Sequence, residues 1–160
     1  MNFIQFLATQ QLEDRQAIVV HGPALSGKTK FVNQLINLNE NIFLIDFLSS
    51  YIQNPDPPIH LMGFSAFKEY LLSLEIPDKY KIVVIDQLDF LFNTWDRSEK
   101  EKFIQWLRTG LRSPSVVKQV YVFFIQTDDI INKSKLINSL GQNRIIGLEA
   151  LENIQYTGSN

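Results

Sequence analysis

Short apolar runs alternate along this chain with stretches in which apolar residues return every three or four positions. The runs are Ala17 to Val20, Ile42 to Ile45, Ile82 to Ile85, Val120 to Ile125 and a shorter Arg144 to Leu148. Strands that read as near-continuous apolar runs are those buried on both faces. Between them, Phe31, Leu35, Ile36 and Leu38 recur at helical spacing, and further helices are expected over Ser65 to Leu74, Ser98 to Thr109 and Lys133 to Leu140. An N-terminal helix is expected over about 2–13. Alternation of this kind predicts an α/β fold, a five-stranded parallel sheet with helices on both faces. The helix from Ser98 is the best marked. Ser98 and Glu101 have the spacing of a capping box, Phe103, Ile104, Trp106 and Leu107 form its apolar stripe, and Gly110 supplies a stop. Gly141 is expected to end the helix that follows. The segment Gln53 to His60, with Pro55, Pro57 and Pro58, reads as a rigid connector or a functional loop. Residues from about Gln155 read as a frayed tail. No repeat or linker interrupts the pattern, so 1–160 reads as a single domain.

Composition narrows the class. In 160 residues, 45% hydrophobic content and 12% aromatics suit one core. Seventeen acidic and fifteen basic side chains leave a net charge of -2, which excludes bulk attraction to nucleic acid or an anionic membrane. Lys133, Lys135 and Arg144 are too scattered to argue a groove or strand contact, so nucleic acid is expected only indirectly. With no cysteine, disulfides, thiolate metal sites and thiol catalysis are excluded. His21 and His60 are isolated and read as structural rather than as zinc ligands. Met1 to Leu7 lacks a basic start and a cleavage site, and no apolar run is long enough to span a bilayer. A cytoplasmic protein is expected.

The chemistry concentrates in Gly22-Pro23-Ala24-Leu25-Ser26-Gly27-Lys28-Thr29, which fits GxxxxGKT between an apolar run and an amphipathic stretch. Loop amides in this arrangement converge on phosphate oxygens, and the following helix adds the positive end of its dipole. Lys28 would reach the β and γ phosphates. Thr29 would offer its hydroxyl to a magnesium ion that the phosphates also bind. The alternative is a surface loop that merely contains glycines. Lys81-Ile82-Val83-Val84-Ile85-Asp86 ends a buried strand in a carboxylate, which makes Asp86 the second metal-side candidate, or else a helix cap.

Val20-His21-Gly22-Pro23 through Thr29, together with Ile85-Asp86-Gln87-Leu88-Asp89, resembles the AAA+ ATPases and their relatives among P-loop NTPases. The likeness covers about residues 15–150. It implies ATP or another nucleoside triphosphate with Mg2+, in an AAA+-like core without a helical lid, because few residues follow the fifth run. Where the family carries a catalytic glutamate this chain has Gln87, which orients water but accepts no proton at neutral pH. Asp89 is the nearest substitute base, or a helix cap. The resemblance implies a γ-phosphate sensor at Gln126 or Thr127. It also implies an arginine acting in a neighbouring subunit at Arg144, with Arg108 and Arg112 as weaker candidates, and hence a homo-oligomer or a partner in an assembly. By the same likeness Phe3, Ile4, Phe6 and Leu7 would pack over the adenine or simply cover the sheet edge; from its own aromatic-rich segment, Phe90 to Trp95, Trp95 reads as core or a partner surface. In size and motif layout the chain is similar to the small P-loop accessory ATPases of BREX-type phage-defence systems. The expected function is a slow ATPase or a nucleotide-dependent switch. A small-molecule kinase and a non-catalytic module with a vestigial phosphate site are the alternatives.

Overall fold

Each apolar run forms a strand: β1 (Ile18–Gly22), β2 (Ile42–Asp46), β3 (Ile82–Asp86), β4 (Val120–Gln126) and β5 (Ile145–Gly147). The structure, a computed structural model, describes residues 2–13, 17–112 and 117–151. The tail expected from about Gln155 lies outside them. The strands pair in parallel in the order β2-β3-β4-β1-β5. The helices are α1 (Phe3–Gln10), α2 (Lys28–Leu38), α3 (Phe47–Gln53), α4 (Phe64–Ser73), α5 (Asp89–Phe92), α6 (Arg97–Thr109) and α7 (Asp129–Lys133).

From β1 the chain crosses to the far edge at β2, returns through β3 to β4, then steps over β1 to β5. Right-handed crossovers running in opposite directions place their helices on opposite faces. The side chains follow. Val20, Val84, Val122 and Phe124 share one core with α1 and α2, where Phe3 meets Phe31 at 5.7 Å and Phe31 meets Phe124 at 6.1 Å. Val83, Ile85, Phe123 and Ile125 face the other, packed by α4 to α7, with Phe103 and Phe123 at 5.2 Å. Because the connections after β1 and β4 leave in opposite directions, these neighbours form a topological switch point, and the crevice outside their carboxyl ends is where such sheets bind ligands.

Phe3, Phe6 and Leu7 are buried in the α1–α2 core and Ile4 packs against it, so this segment covers the sheet. Trp95 is likewise core, its indole Nε1 donating to Met62 O at 2.9 Å.

Several local expectations are corrected. Helix α6 is capped by Asp96, whose Oδ1 accepts from Glu99 N at 2.9 Å, and not by Ser98; Glu101 pairs with Arg97 at 2.8 Å instead. Asp128 starts α7 early, accepting from Ile131 N at 2.8 Å, and extended backbone at Ser134 ends it. The helix expected over Lys133 to Leu140 is absent, because Asn138 Oδ1 accepts from Leu140 N and Gln142 N and holds a turn that Gly141 completes at φ 79°. Helix α3 was not expected. It follows β2 directly, Asp46 capping it through Ser49 N at 3.1 Å, and it shortens the proline segment, which Tyr51 OH holds through Pro57 O. No helix among the described residues is long and apolar enough to cross a membrane.

Candidate functional site

At the carboxyl edge the chain turns from β1 into α2 through residues 23–27. Gly22 lets the loop pack closely: a Cβ there would meet Ser26 Oγ at 2.6 Å, forcing that hydroxyl to turn away, and would crowd Leu148 Cβ at 3.3 Å. Gly27 is needed for its backbone, at φ 94°, with open space where a side chain would stand. As N-cap of α2, Gly27 offers no side-chain acceptor, so the first amides of an eleven-residue helix keep their donors for an external anion. Leu25, fully exposed at the loop tip, has φ 59°. A non-glycine residue in that region stores about 1–3 kcal/mol of strain, which clusters at functional sites.

Lys28 is buried beneath the loop. Its Nζ donates to Pro23 O at 3.1 Å and Gly22 O at 3.3 Å, and lies 3.6 Å from Asp89 Oδ2. Thr29 faces the end of β3, its hydroxyl donating to Asp86 Oδ2 at 3.0 Å. Gln87, at φ 61°, turns its side chain back so that Nε2 donates to Thr29 Oγ1 at 2.9 Å. The loop, Asp86, Gln87 and Asp89 line a cleft of about 350 Å³. Burial pushes the Asp86 carboxyl above the usual carboxylate range, and the charges of Asp46 and Asp89 add to this; the Gln87 backbone amide and the Thr29 hydroxyl oppose it.

Asp89 does not cap its own helix. Its Oδ1 accepts from Gln126 N at 2.7 Å while Oδ2 faces Lys28, so the carboxylate joins the loop lysine to the end of β4. Gln126 is also reached by Asn93 Nδ2 at 3.4 Å. Thr127 N donates to Gly22 O at 2.9 Å, and its hydroxyl lies 2.9 Å from His21 Nδ1. Loop, Thr29, Asp86, Gln87, Asp89, Gln126 and Thr127 thus meet at one edge.

No protein-family model, curated protein or solved structure matches this chain.

The arginines lie elsewhere. Arg144, at the start of β5, is 2% exposed and donates to Ala17 O at 2.8 Å and Leu107 O at 3.3 Å. That is the amino-terminal edge of the sheet, and the buried side chain is not presented to a neighbouring molecule. Arg108 bonds Gln105 and Lys135 O on the outside of α6, and Arg112 follows that helix at the same distant edge.

Two further residues belong to the site edge. Asp46 ends β2 in register with Asp86. His21, the penultimate residue of β1 and mostly buried, is expected from sequence to be structural; its signal is a polar side chain near the end of an otherwise apolar strand. Among the described residues no cluster of three or more His, Asp or Glu could hold a metal alone. The adjacent hydroxyl of Thr29 and carboxylate of Asp86 are hard oxygen donors that suit Mg2+, which is bound by one or two protein groups with phosphates and water completing its shell.

Proposed function

We propose that this protein binds a nucleoside triphosphate, ATP with Mg2+, and acts as a slow ATPase or a nucleotide-dependent switch within a protein assembly. One observation carries the reading. An uncapped helix N-terminus, framed by a closely packed Gly22 and a left-handed Gly27, opens on the cleft that holds Lys28 and the Thr29–Asp86 pair. The α2 amides and Lys28 grip the phosphates, the lysine exchanging Gly22 O and Pro23 O for phosphate oxygens. Thr29 and Asp86 hold the metal side. A bound Mg2+ supplies charge neutralisation at the phosphates. Gln87 orients water near the terminal phosphate without taking its proton, and both oxygens of Asp89 are engaged. General-base help worth about a hundredfold to ten-thousandfold is therefore missing, which favours a switch over rapid turnover. A group from an assembly partner would complete the chemistry.

Calorimetric titration of ATP with Mg2+ tests this. The wild type binds, and Lys28→Ala binds at least about tenfold more weakly, since a hydrogen bond to a charged group contributes about 1.5–3 kcal/mol. Failure of the wild type to bind any nucleoside triphosphate rejects the reading.

A further inference from the structure

We infer that His21 is a positioning residue of this site: it sets the direction in which the Thr127 hydroxyl donates, and so couples contact with a terminal phosphate to a proton on its own ring. The inference rests on the nucleotide-binding reading above.

His21 lies between Ile125 of β4 and Gly147 of β5, and its Nδ1 is 2.9 Å from Thr127 Oγ1. Thr127 N donates to Gly22 O, the same carbonyl that accepts from Lys28 Nζ. Thr127 and Lys28 thus share one acceptor, and a phosphate that draws Lys28 from that carbonyl would be held next to the bond that fixes Thr127. The threonine hydroxyl has one proton. When Nδ1 is bare, that proton is committed to the ring, and only lone pairs remain for a phosphate that itself has only acceptors to offer. When Nδ1 carries hydrogen, Thr127 accepts from the ring and turns its own proton outward. Phosphate contact therefore selects a ring with hydrogen on Nδ1; the neutral Nδ1–H tautomer meets this without taking up a proton, and the imidazolium is the form favoured where negative charge gathers around the ring.

The surroundings make that form accessible. From the turn after β5, Glu149 lies against Gly147, where a Cβ would meet its Oε1 at 2.5 Å. Asp128 follows Thr127 and is partly offset by Lys100 of α6, at 2.7 Å. Lys28 is the cation on the loop that β1 enters. In the free protein, burial holds the His21 pKa below 6.5 against the pull of Glu149 and Asp128. Negative charge brought by a terminal phosphate acts in the same sense as those carboxylates and favours proton uptake.

The experiment follows the His21 ring nitrogens of the full chain by NMR from pH 5 to 8, with and without ATP and Mg2+, beside calorimetric affinities at pH 6 and pH 8. Nucleotide should move the ring to the Nδ1-protonated form and raise its pKa, and this response should vanish in Thr127→Val. Wild-type affinity for ATP should increase several-fold more between pH 8 and pH 6 than that of His21→Gln, the comparison removing the nucleotide's own titration. ADP, lacking the terminal phosphate, should show no such difference. If His21→Gln does not fold, Thr127→Val supplies the same comparison. Binding that leaves the ring nitrogens and their pKa unmoved, or an equal pH dependence in wild type and variants, overturns the inference while the nucleotide-binding reading stands. Absence of any nucleotide binding overturns both.

Discussion

Asp86 sets local function against stability. It is 5% exposed, and burial disfavours its charged form; a buried carboxylate is tolerated where its hydrogen bonds and a ligand justify it. Asp86→Asn keeps an oxygen for the Thr29 hydroxyl and removes the charge. In Mg2+-free buffer at pH 7 the variant should melt at a higher temperature than the wild type, while Mg2+-dependent nucleotide binding is lost. A lower melting temperature would mean that the carboxylate supports the fold. Gln87 makes a second residue-level case. Its Nε2 donates to a Thr29 oxygen whose own proton goes to Asp86, so a carboxylate at this position finds no donor in Thr29 and is free to face the cleft. Gln87→Glu should then raise phosphate release, by about a hundredfold or more, as a general base does. Unchanged release with intact binding would show that the missing base is not what limits turnover.

Helix α6 shows how an element can be legible while its first turn is not. Its apolar stripe Phe103, Ile104, Trp106 and Leu107 packs as the spacing predicts, yet both Asp96–Glu99 and Ser98–Glu101 have capping spacing. The helix uses Asp96, and Glu99, instead of closing a box back to it, accepts from Phe64 N at 2.8 Å at the start of α4. Asp96→Ala should therefore cost about 1 kcal/mol in chemical denaturation, whereas Ser98→Ala should stay within about 0.5 kcal/mol. Equal effects would remove Asp96 as the cap. The interiors of the central strands β1, β3 and β4 are apolar because both faces are covered, and edge strand β2 keeps an apolar run although Leu44 is 40% exposed, so each run is visible in the sequence. Their polar last residues, Asp46, Asp86 and Gln126, extend the strands beyond the apolar runs to the carboxyl edge. Helix α3 has no turn before it, because Asp46 serves as strand end and cap at once. The last helix was misplaced because side-chain acceptors at Asp128 and Asn138 override an apolar spacing. At the site, the glycine loop and Asp86 carry a pattern, whereas the bonds of Asp89 to Lys28 and of His21 to Thr127 join residues far apart in sequence.

At the scale of the molecule, Arg144 decides between an arginine that serves a neighbour and one that closes this fold. It joins the carbonyl of Ala17, just before β1, to that of Leu107 near the end of α6, and so ties the β5 edge to both. Hydrogen bonds from a charged donor contribute about 1.5–3 kcal/mol each, and removing the donor leaves two buried carbonyls without this partner. Arg144→Ala should lower the melting temperature by several degrees, at about 2–4 °C per kcal/mol for a domain of this size. A fold-closing residue acts within one molecule, so the loss should be independent of protein concentration and of nucleotide. An arginine acting in trans would behave differently: the isolated chain would keep its stability, and turnover would fall only at concentrations where molecules associate. Thermal melts over a hundredfold range of concentration, paired with phosphate release across the same range, separate the two. A stable variant with concentration-dependent loss of turnover would overturn the fold-closing role. The expected result confines any partner-supplied charge to a surface other than the β5 edge.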